Sequence, residues 1–386
     1  MIVVMVVDAW DQPFNGTVVS SRRFAEALLA RGVGVRVMAL EGQENPVAGV
    51  ELYEFPRLSI PGVNGMMETM RVMLAKPDRS HIREALTGAS VLHVQFPLFL
   101  GACAISEARK IGLPIVASFH LQAENILRNL KLPTPLLARG VYALMRRFIF
   151  DRCDTVIAPS VFARDLIRQV GIGTPVEVLS NGIPAHHLKS FRLREGLPQQ
   201  VKVLCVGRQA AEKRYDIILR ALAGLKQRDR FHVTFAGLGP ERDSLQRLSN
   251  ALGVNATFTA PSDPELELLY ANADLFLHAG ESELEGMSVM QAMAAGVPAI
   301  VSNSKASAAG ELTAIPESRF DFPSSEHLAD RIRAFDGNPA LVQQASRENA
   351  EAMLPLAHET SVKNLLAIYA QICPAGWLTA GINEAA

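Results

Sequence analysis

Short apolar runs and helix-period stretches alternate along the chain. Ile2–Val7 is a continuous β-branched and methionine run, which predicts a strand buried on both faces. A loop, Asp8–Gly16, follows, and Thr17–Arg31 has helical spacing. The strand pattern recurs at Val33–Ala39, Ser90–Gln95, Leu113–Phe119, Asp154–Ala158 and Val176–Leu179. Helices are predicted between them over Gly101–Ile111 and Ser160–Val170, and over the Met-rich segment 66–75. Residues 185–200 are polar, contain Pro198 and read as a linker. The alternation then restarts: strand Val201–Val206, helix Tyr215–Lys226, strand Phe231–Phe235, a helix to about Leu252, strand Ala256–Thr259 and helix Leu266–Ala271. Strand Asp274–His278, helix Met287–Ala295 and strand Ala299–Val301 complete the series. Helices over 325–336 and 340–371 close the chain, with a loose tail from Pro374. The pattern is α/β in two consecutive halves.

Composition narrows this picture. A chain of 386 residues with 49% hydrophobic and 20% charged residues has material for two large cores. A net charge of −1 argues against a general nucleic-acid partner. Charge is uneven, however: residues 120–170 carry eight Lys/Arg against four acids. Four cysteines, at 103, 153, 205 and 373, show no Cys-x-x-Cys spacing, so no zinc signature or disulfide framework emerges and a reducing cytoplasm fits. The first seven residues read as a strand, not a signal peptide. Residues 85–106 lack charge, but Gly88, His93, Gln95, Pro97 and Gly101 interrupt them, which favours a buried strand and loop over a membrane span.

The candidate chemistry lies at strand ends. Between the strands at 274–278 and 299–301 runs Glu283-Leu-Glu-Gly-Met-Ser-Val-Met-Gln-Ala-Met-Ala-Ala-Gly-Val-Pro298. An acidic loop with one glycine before a helix places free first-turn amides beside carboxylates. Amides suit phosphate and a carboxylate suits hydroxyls, which together suit a sugar nucleotide. An ordinary βαβ crossover with exposed glutamates accounts for the same letters. Arg208 and Lys213, after the strand 201–206, can reach one diphosphate, arginine as a fork and lysine as a point charge, or Lys213 is a simple surface lysine. Gly16 opens the first helix, either as a plain turn or as a close approach to a ligand. His120 ends the strand 113–119, at the rim where parallel sheets bind ligands, or simply as a loop histidine. Arg139, Arg146 and Arg147 flank an apolar stripe that reads either as a packed helix with a basic outer face or as an anionic-membrane contact. Gly237-Leu-Gly239 lacks the third glycine and the acid of a dinucleotide fingerprint, so a nicotinamide dehydrogenase is disfavoured.

In order, these landmarks are Asn15-Gly16-Thr17, Ser118-Phe-His120, Ala158-Pro-Ser160, Ser180-Asn-Gly-Ile-Pro184, Val206-Gly-Arg208 with Glu212-Lys213, Ala236-Gly-Leu-Gly239 and the Glu283 stretch. With them the chain resembles the retaining glycosyltransferases of family 4, of the GT-B fold, along nearly its full length. Asp11–Thr17, His93-Val-Gln-Phe-Pro97 and Ala117–Gln122 resemble in particular the enzymes that add sugar to diacylglycerol. The resemblance implies two Rossmann-like β/α/β domains facing across a cleft: residues 1–184 binding the acceptor, 185–355 binding the nucleotide-sugar donor, and 356–386 carrying a C-terminal helix back to the first domain and a tail.

It also implies roles. Gly16 lies near the donor diphosphate, His120 at the reaction centre, and Arg208 and Lys213 on the leaving diphosphate. Glu283 holds a sugar hydroxyl, and the amides of Met287, Ser288 and Val289 face sugar and phosphate. The family carries a second glutamate on the ribose eight residues after the first, where this chain has Gln291. Glutamine still donates and accepts there, without charge. No Asp-x-Asp triplet occurs, so the sequence calls for no metal and no cofactor beyond a UDP-sugar substrate. No carboxylate pair of the glycosidase kind is identified; the family reacts on one face, the leaving phosphate taking the acceptor's proton. The implied protein is a cytoplasmic enzyme, peripheral to the membrane's inner face, moving glucose, galactose or glucuronate to a lipid such as diacylglycerol. The alternatives are a soluble sugar, polysaccharide or lipopolysaccharide acceptor, or a non-catalytic sugar-nucleotide binder.

Overall fold

The computed structural model describes residues 1–12, 15–59, 74–129 and 134–374. They form two units, Met1–Ser180 with the chain from Ser361 onward, and Asn181–Thr360.

The first unit is built on seven parallel strands: β1 Ile2–Val6, β2 Gly34–Leu40, β3 Glu51–Phe55, β4 Val91–Val94, β5 Ile115–Ser118, β6 Thr155–Ala158 and β7 Val176–Val178. Their spatial order is β3-β2-β1-β4-β5-β6-β7. The order reverses between β1 and β4, the place where such sheets open a crevice at their carboxyl ends. Val3, Val4, Met5 and Val6 of β1 are wholly buried, as a strand covered on both faces requires. Val362, Leu365 and Tyr369 of the last helix, His358–Ile372, fill the same core.

The second unit has β8 Val201–Val206, β9 Phe231–Ala236, β10 Ala256–Thr259, β11 Leu275–His278, β13 Ala299–Ser302 and β15 Arg319–Phe320, parallel in the order β10-β9-β8-β11-β13-β15. Two short strands, β12 Ser282–Glu283 and β14 Ala306–Ser307, pair beside it. Here the order reverses between β8 and β11, whose Leu275 and Phe276 face Val203 and Leu204.

Two expectations change, and a third falls mostly outside the described residues. The segment 185–200 is no free linker: it starts with the helix Ala185–Lys189, and Arg194 is 5% exposed. Its guanidinium donates to the carbonyls of Arg192, Tyr270, Ala271, Ala273 and Ala295. The closing helix is two helices, Pro339–Met353 and His358–Ile372, parted at Leu354-Pro355-Leu356, because proline has no amide to continue the ladder. Of the helix read over 66–75, only Leu74 and Ala75 lie among the described residues, and Ala75 is extended, bridging antiparallel to Arg57. The tail beyond Pro374 lies outside the described residues.

Candidate donor and acceptor half-sites

The two strands flanking the second unit's switch point carry the expected cations and carboxylate. The loop after β8 supplies Arg208 and Lys213, and the loop after β11 supplies Glu283. Lys213 Nζ donates to Glu283 Oε2, and the pair is mostly buried, at 16% and 22% side-chain exposure. Arg208 Nη2 donates to Glu212 Oε1 over 2.8 Å. The Glu281 amide donates to the Glu212 carbonyl over 2.8 Å, which ties the two loops together. Burial works against charge on Glu283, but the Lys213 ammonium outweighs it and holds the carboxyl below its ordinary range.

The Gly237-Leu-Gly239 turn after β9 packs on the first of these loops. A Cβ on Gly237 would stand 2.3 Å from the Gly207 carbonyl oxygen, and one on Gly239 2.2 Å from that of Gln209. The glycines therefore serve close backbone approach, which fixes the base of the loop that carries Arg208.

Gly286, at φ +90°, caps the helix Met287–Ala294. The amides of Val289 and Met290 return to the Gly286 carbonyl at 2.9 and 3.0 Å. Those of Met287 and Ser288 are thus the ones at the helix's open end. The Val289 side chain is wholly buried. One turn on, Gln291 Oε1 lies 3.1 Å from the Tyr270 hydroxyl, so its carbonyl is engaged and its amide nitrogen keeps two donors.

Several residues here escaped sequence reasoning. Of the three loop acids, Glu285 turns inward and receives the Asn181 amide at 2.9 Å and the Asn181 side chain. His278, 2% exposed, sits with Nε2 3.7 Å from Glu283 Oε2. Burial, and then Lys213, push it down to about 4, so it is neutral at physiological pH. Arg214 is held at φ +48°, grips Asp216 through two bonds of 3.0 and 3.1 Å, and has Glu281 at 3.8 Å. No spacing rule marks these residues; Glu285 acts through Asn181, 104 residues away, and His278 and Arg214 through contacts that only the folded loops bring about.

In the first unit, Gly16 begins the helix Gly16–Leu29, and the Asn15 side chain accepts from the Thr17 amide at 3.1 Å. His120 lies just past β5, half-buried, with burial pushing it down to about 4. Phe119 beside it is wholly buried, edge-on to Phe150 with ring centres 6.0 Å apart, which anchors the strand end. Behind it, His93 bonds Ser118 Oγ at 2.8 Å and the Tyr369 hydroxyl at 2.6 Å.

The helix Pro135–Phe148 turns Ala138, Tyr142, Met145 and, just beyond it, Ile149 inward, and Leu136, Leu137, Leu144 and Phe148 outward at 45–78% exposure. Arg139, Arg146 and Arg147 are exposed on it; Arg146 pairs with Asp151 at 2.9 Å, and Arg147 lies over the Phe148 ring. Among the described residues, no helix is long and apolar enough to cross a membrane. No group of three or more His, Cys, Asp or Glu among them is arranged to hold a metal ion.

Two parallel β/α units, one with two cations and a carboxylate at its switch point, define a Rossmann-like class of fold that binds ligands at the carboxyl ends of its strands. Residues 14–187 match the model for Glycosyltransferase Family 4, and residues 191–352 that for Glycosyl transferases group 1. The chain belongs to the family 4 glycosyltransferases of the GT-B fold. It is 29% identical over 225 residues to an alpha-monoglucosyldiacylglycerol synthase of Streptococcus pneumoniae, covering 54% of this chain and only about half, 51%, of that relative. It is 27% identical over 314 residues to a GDP-mannose-dependent alpha-mannosyltransferase of Corynebacterium glutamicum, covering 78% of this chain and 72% of the relative. The sucrose-phosphate synthase of Thermosynechococcus elongatus shares the fold, with a TM-score of 0.76 at 16% identity over 96% of this chain and 98% of the other.

Proposed function

We propose that the protein transfers a sugar, with retention and without a metal, from a UDP-sugar to a lipid such as diacylglycerol at the inner membrane face. The observation that carries the donor reading is Lys213 paired with Glu283 at the switch point, just ahead of the open helix end at Met287 and Ser288. On donor binding, Lys213 and Arg208 turn to the diphosphate and Glu283 to a sugar hydroxyl. As the anomeric C–O bond breaks, the electron pair leaves with the nucleoside diphosphate, and both cations stabilise it. Gln291 meets the ribose with its amide. The outward leucines and Phe148, flanked by arginines, support the membrane reading, since apolar area and roughly 1 kcal/mol per basic residue add at an anionic surface. The mannosyltransferase relative favours one second reading, GDP-mannose as donor.

The test supplies labelled UDP-glucose, UDP-galactose, UDP-glucuronate or GDP-mannose with dioleoylglycerol in phosphatidylglycerol vesicles, and counts sugar in the organic phase. Labelled lipid with one UDP-sugar is the expected result; labelling from GDP-mannose alone overturns the UDP assignment. In the same assay, Leu144→Ser with Phe148→Ser is expected to cut vesicle sedimentation by at least about tenfold at low salt. Unchanged sedimentation would remove the membrane role of this helix.

A further inference from the structure

One carboxylate in the first unit is answered by nothing around it. Asp8 follows β1 and is 2% exposed, and neither Oδ1 nor Oδ2 has a hydrogen-bond partner among the described residues. Its backbone, by contrast, is well tied. The Asp8 carbonyl accepts from the Leu40 amide at 3.0 Å and from Gln43 Nε2 at 2.7 Å, while Gln43 Oε1 takes the Asp11 amide at 2.9 Å. The residue is held in place and its side chain is left bare. Burial alone pushes the carboxyl up to about 7. An orphaned buried acid costs stability, and asparagine or leucine would relieve much of that cost. A ligand that donates a hydrogen bond would complete it.

Its place says which ligand. Asp8 lies at the carboxyl end of β1, where the strand order reverses toward β4. The register runs Val6 to Val94 to Ala117 across β1, β4 and β5. Asp8, Gln95 and His120 thus cap three neighbouring strands at the crevice of this sheet. The other buried polar groups there are satisfied internally: Gln95 Nε2 lies 3.2 Å from the His93 ring, and His93 has Ser118 and Tyr369. Among the described residues, Asp8 alone of these keeps both side-chain acceptors unused, and a hydroxyl reaching them displaces the groups that bury it.

We propose that Asp8 is the acceptor-binding carboxylate, receiving a hydrogen bond from the acceptor's hydroxyl at this crevice. The assignment rests on the first unit being the acceptor-binding one. During transfer the acceptor oxygen forms the new bond to the anomeric carbon as the bond to phosphate breaks. Its proton passes to the departing phosphate oxygen. Asp8 orients the hydroxyl and ends with the proton count it began with.

The test uses Asp8→Asn and Asp8→Leu in the full chain, with dioleoylglycerol in phosphatidylglycerol vesicles and the donor the wild type turns over. The expected result is an acceptor KM raised by at least about tenfold, an unchanged Kd for the donor by calorimetry, and a thermal midpoint equal to or above wild type. An unchanged acceptor KM overturns the assignment. So does a lowered thermal midpoint in Asp8→Asn, which would reveal an internal partner. If the wild type binds donor but labels no lipid, the lipid reading falls, and the same proteins are compared with glycerol and glucose as acceptors. Equal rates there overturn the role of Asp8, and a selective loss upholds it. If the wild type glycosylates no acceptor, the assignment of Asp8 falls with the transferase reading.

Discussion

Replacing Lys213 with methionine is expected to lower kcat by about 100- to 1000-fold, or roughly 3–4 kcal/mol of transition-state stabilisation. The magnitude follows from the setting. The ammonium is 16% exposed and already engaged with Glu283, so it acts in a site from which most water is gone. Methionine keeps the length of the stem and removes only the charge. Its loss also frees Glu283 from the cation that holds its carboxyl low, so burial prevails and the carboxyl rises. Lysine-to-arginine exchange is not conservative here, because a fork cannot occupy the place of a point charge. Steady-state kinetics with saturating donor and acceptor measure the effect. A rise in donor KM with unchanged kcat would mean that Lys213 only binds, and a loss under about fivefold would remove it from the leaving-group role.

Arg194→Met is expected to cost about 3–5 kcal/mol of stability. The guanidinium serves the carboxyl ends of two helices, Asp263–Asn272 and Met287–Ala294, whose last carbonyls lack an intrahelical partner. It reaches Ala295 at 2.6 Å and Ala271 at 2.9 Å. A cation also suits the negative end of each helix dipole. Burial lowers its pKa to about 10, so the charge persists at neutral pH. Methionine would fill the space and strand the carbonyls. For a unit of this size the thermal midpoint should fall by roughly 10 °C. Urea and thermal unfolding followed by circular dichroism measure it; a change under about 1 kcal/mol would show that water replaces the guanidinium.

The sheets were legible because their strands are buried on both faces and so appear as unbroken apolar runs, as in Ile2–Val6 and Leu275–His278. The edge strand Glu51–Phe55 was missed because only Phe55 is buried, and a strand wet on both faces has no apolar pattern. Polar composition suggested a linker at 185–200 because a buried arginine satisfied by five carbonyls looks, letter by letter, like an exposed one. That Arg208, Lys213 and Glu283 sit past strand ends was legible, and the structure makes those strands, β8 and β11, neighbours. Which acid faces which partner was not: Glu281, Glu283 and Glu285 alternate along two residues of spacing, yet they meet Arg214, Lys213 and Asn181. Asp8 and His278 were illegible for a related reason: what matters about each is a missing or distant partner, and sequence records neither.

The last helix has a consequence for how the protein is made. Val362, Leu365 and Tyr369 are wholly buried in the core of the first unit, and Tyr369 completes the hydrogen bonds of His93. On the ribosome, residues 1–180 therefore emerge before 181–360 but lack part of their interior until the helix His358–Ile372 has been translated. Residues 181–360 emerge later yet are contiguous, and can close as a unit as soon as they clear the exit tunnel. Residues 1–180 wait for residues 361–373, made after 181–360, so the order of synthesis and the order of completion of the two units are reversed.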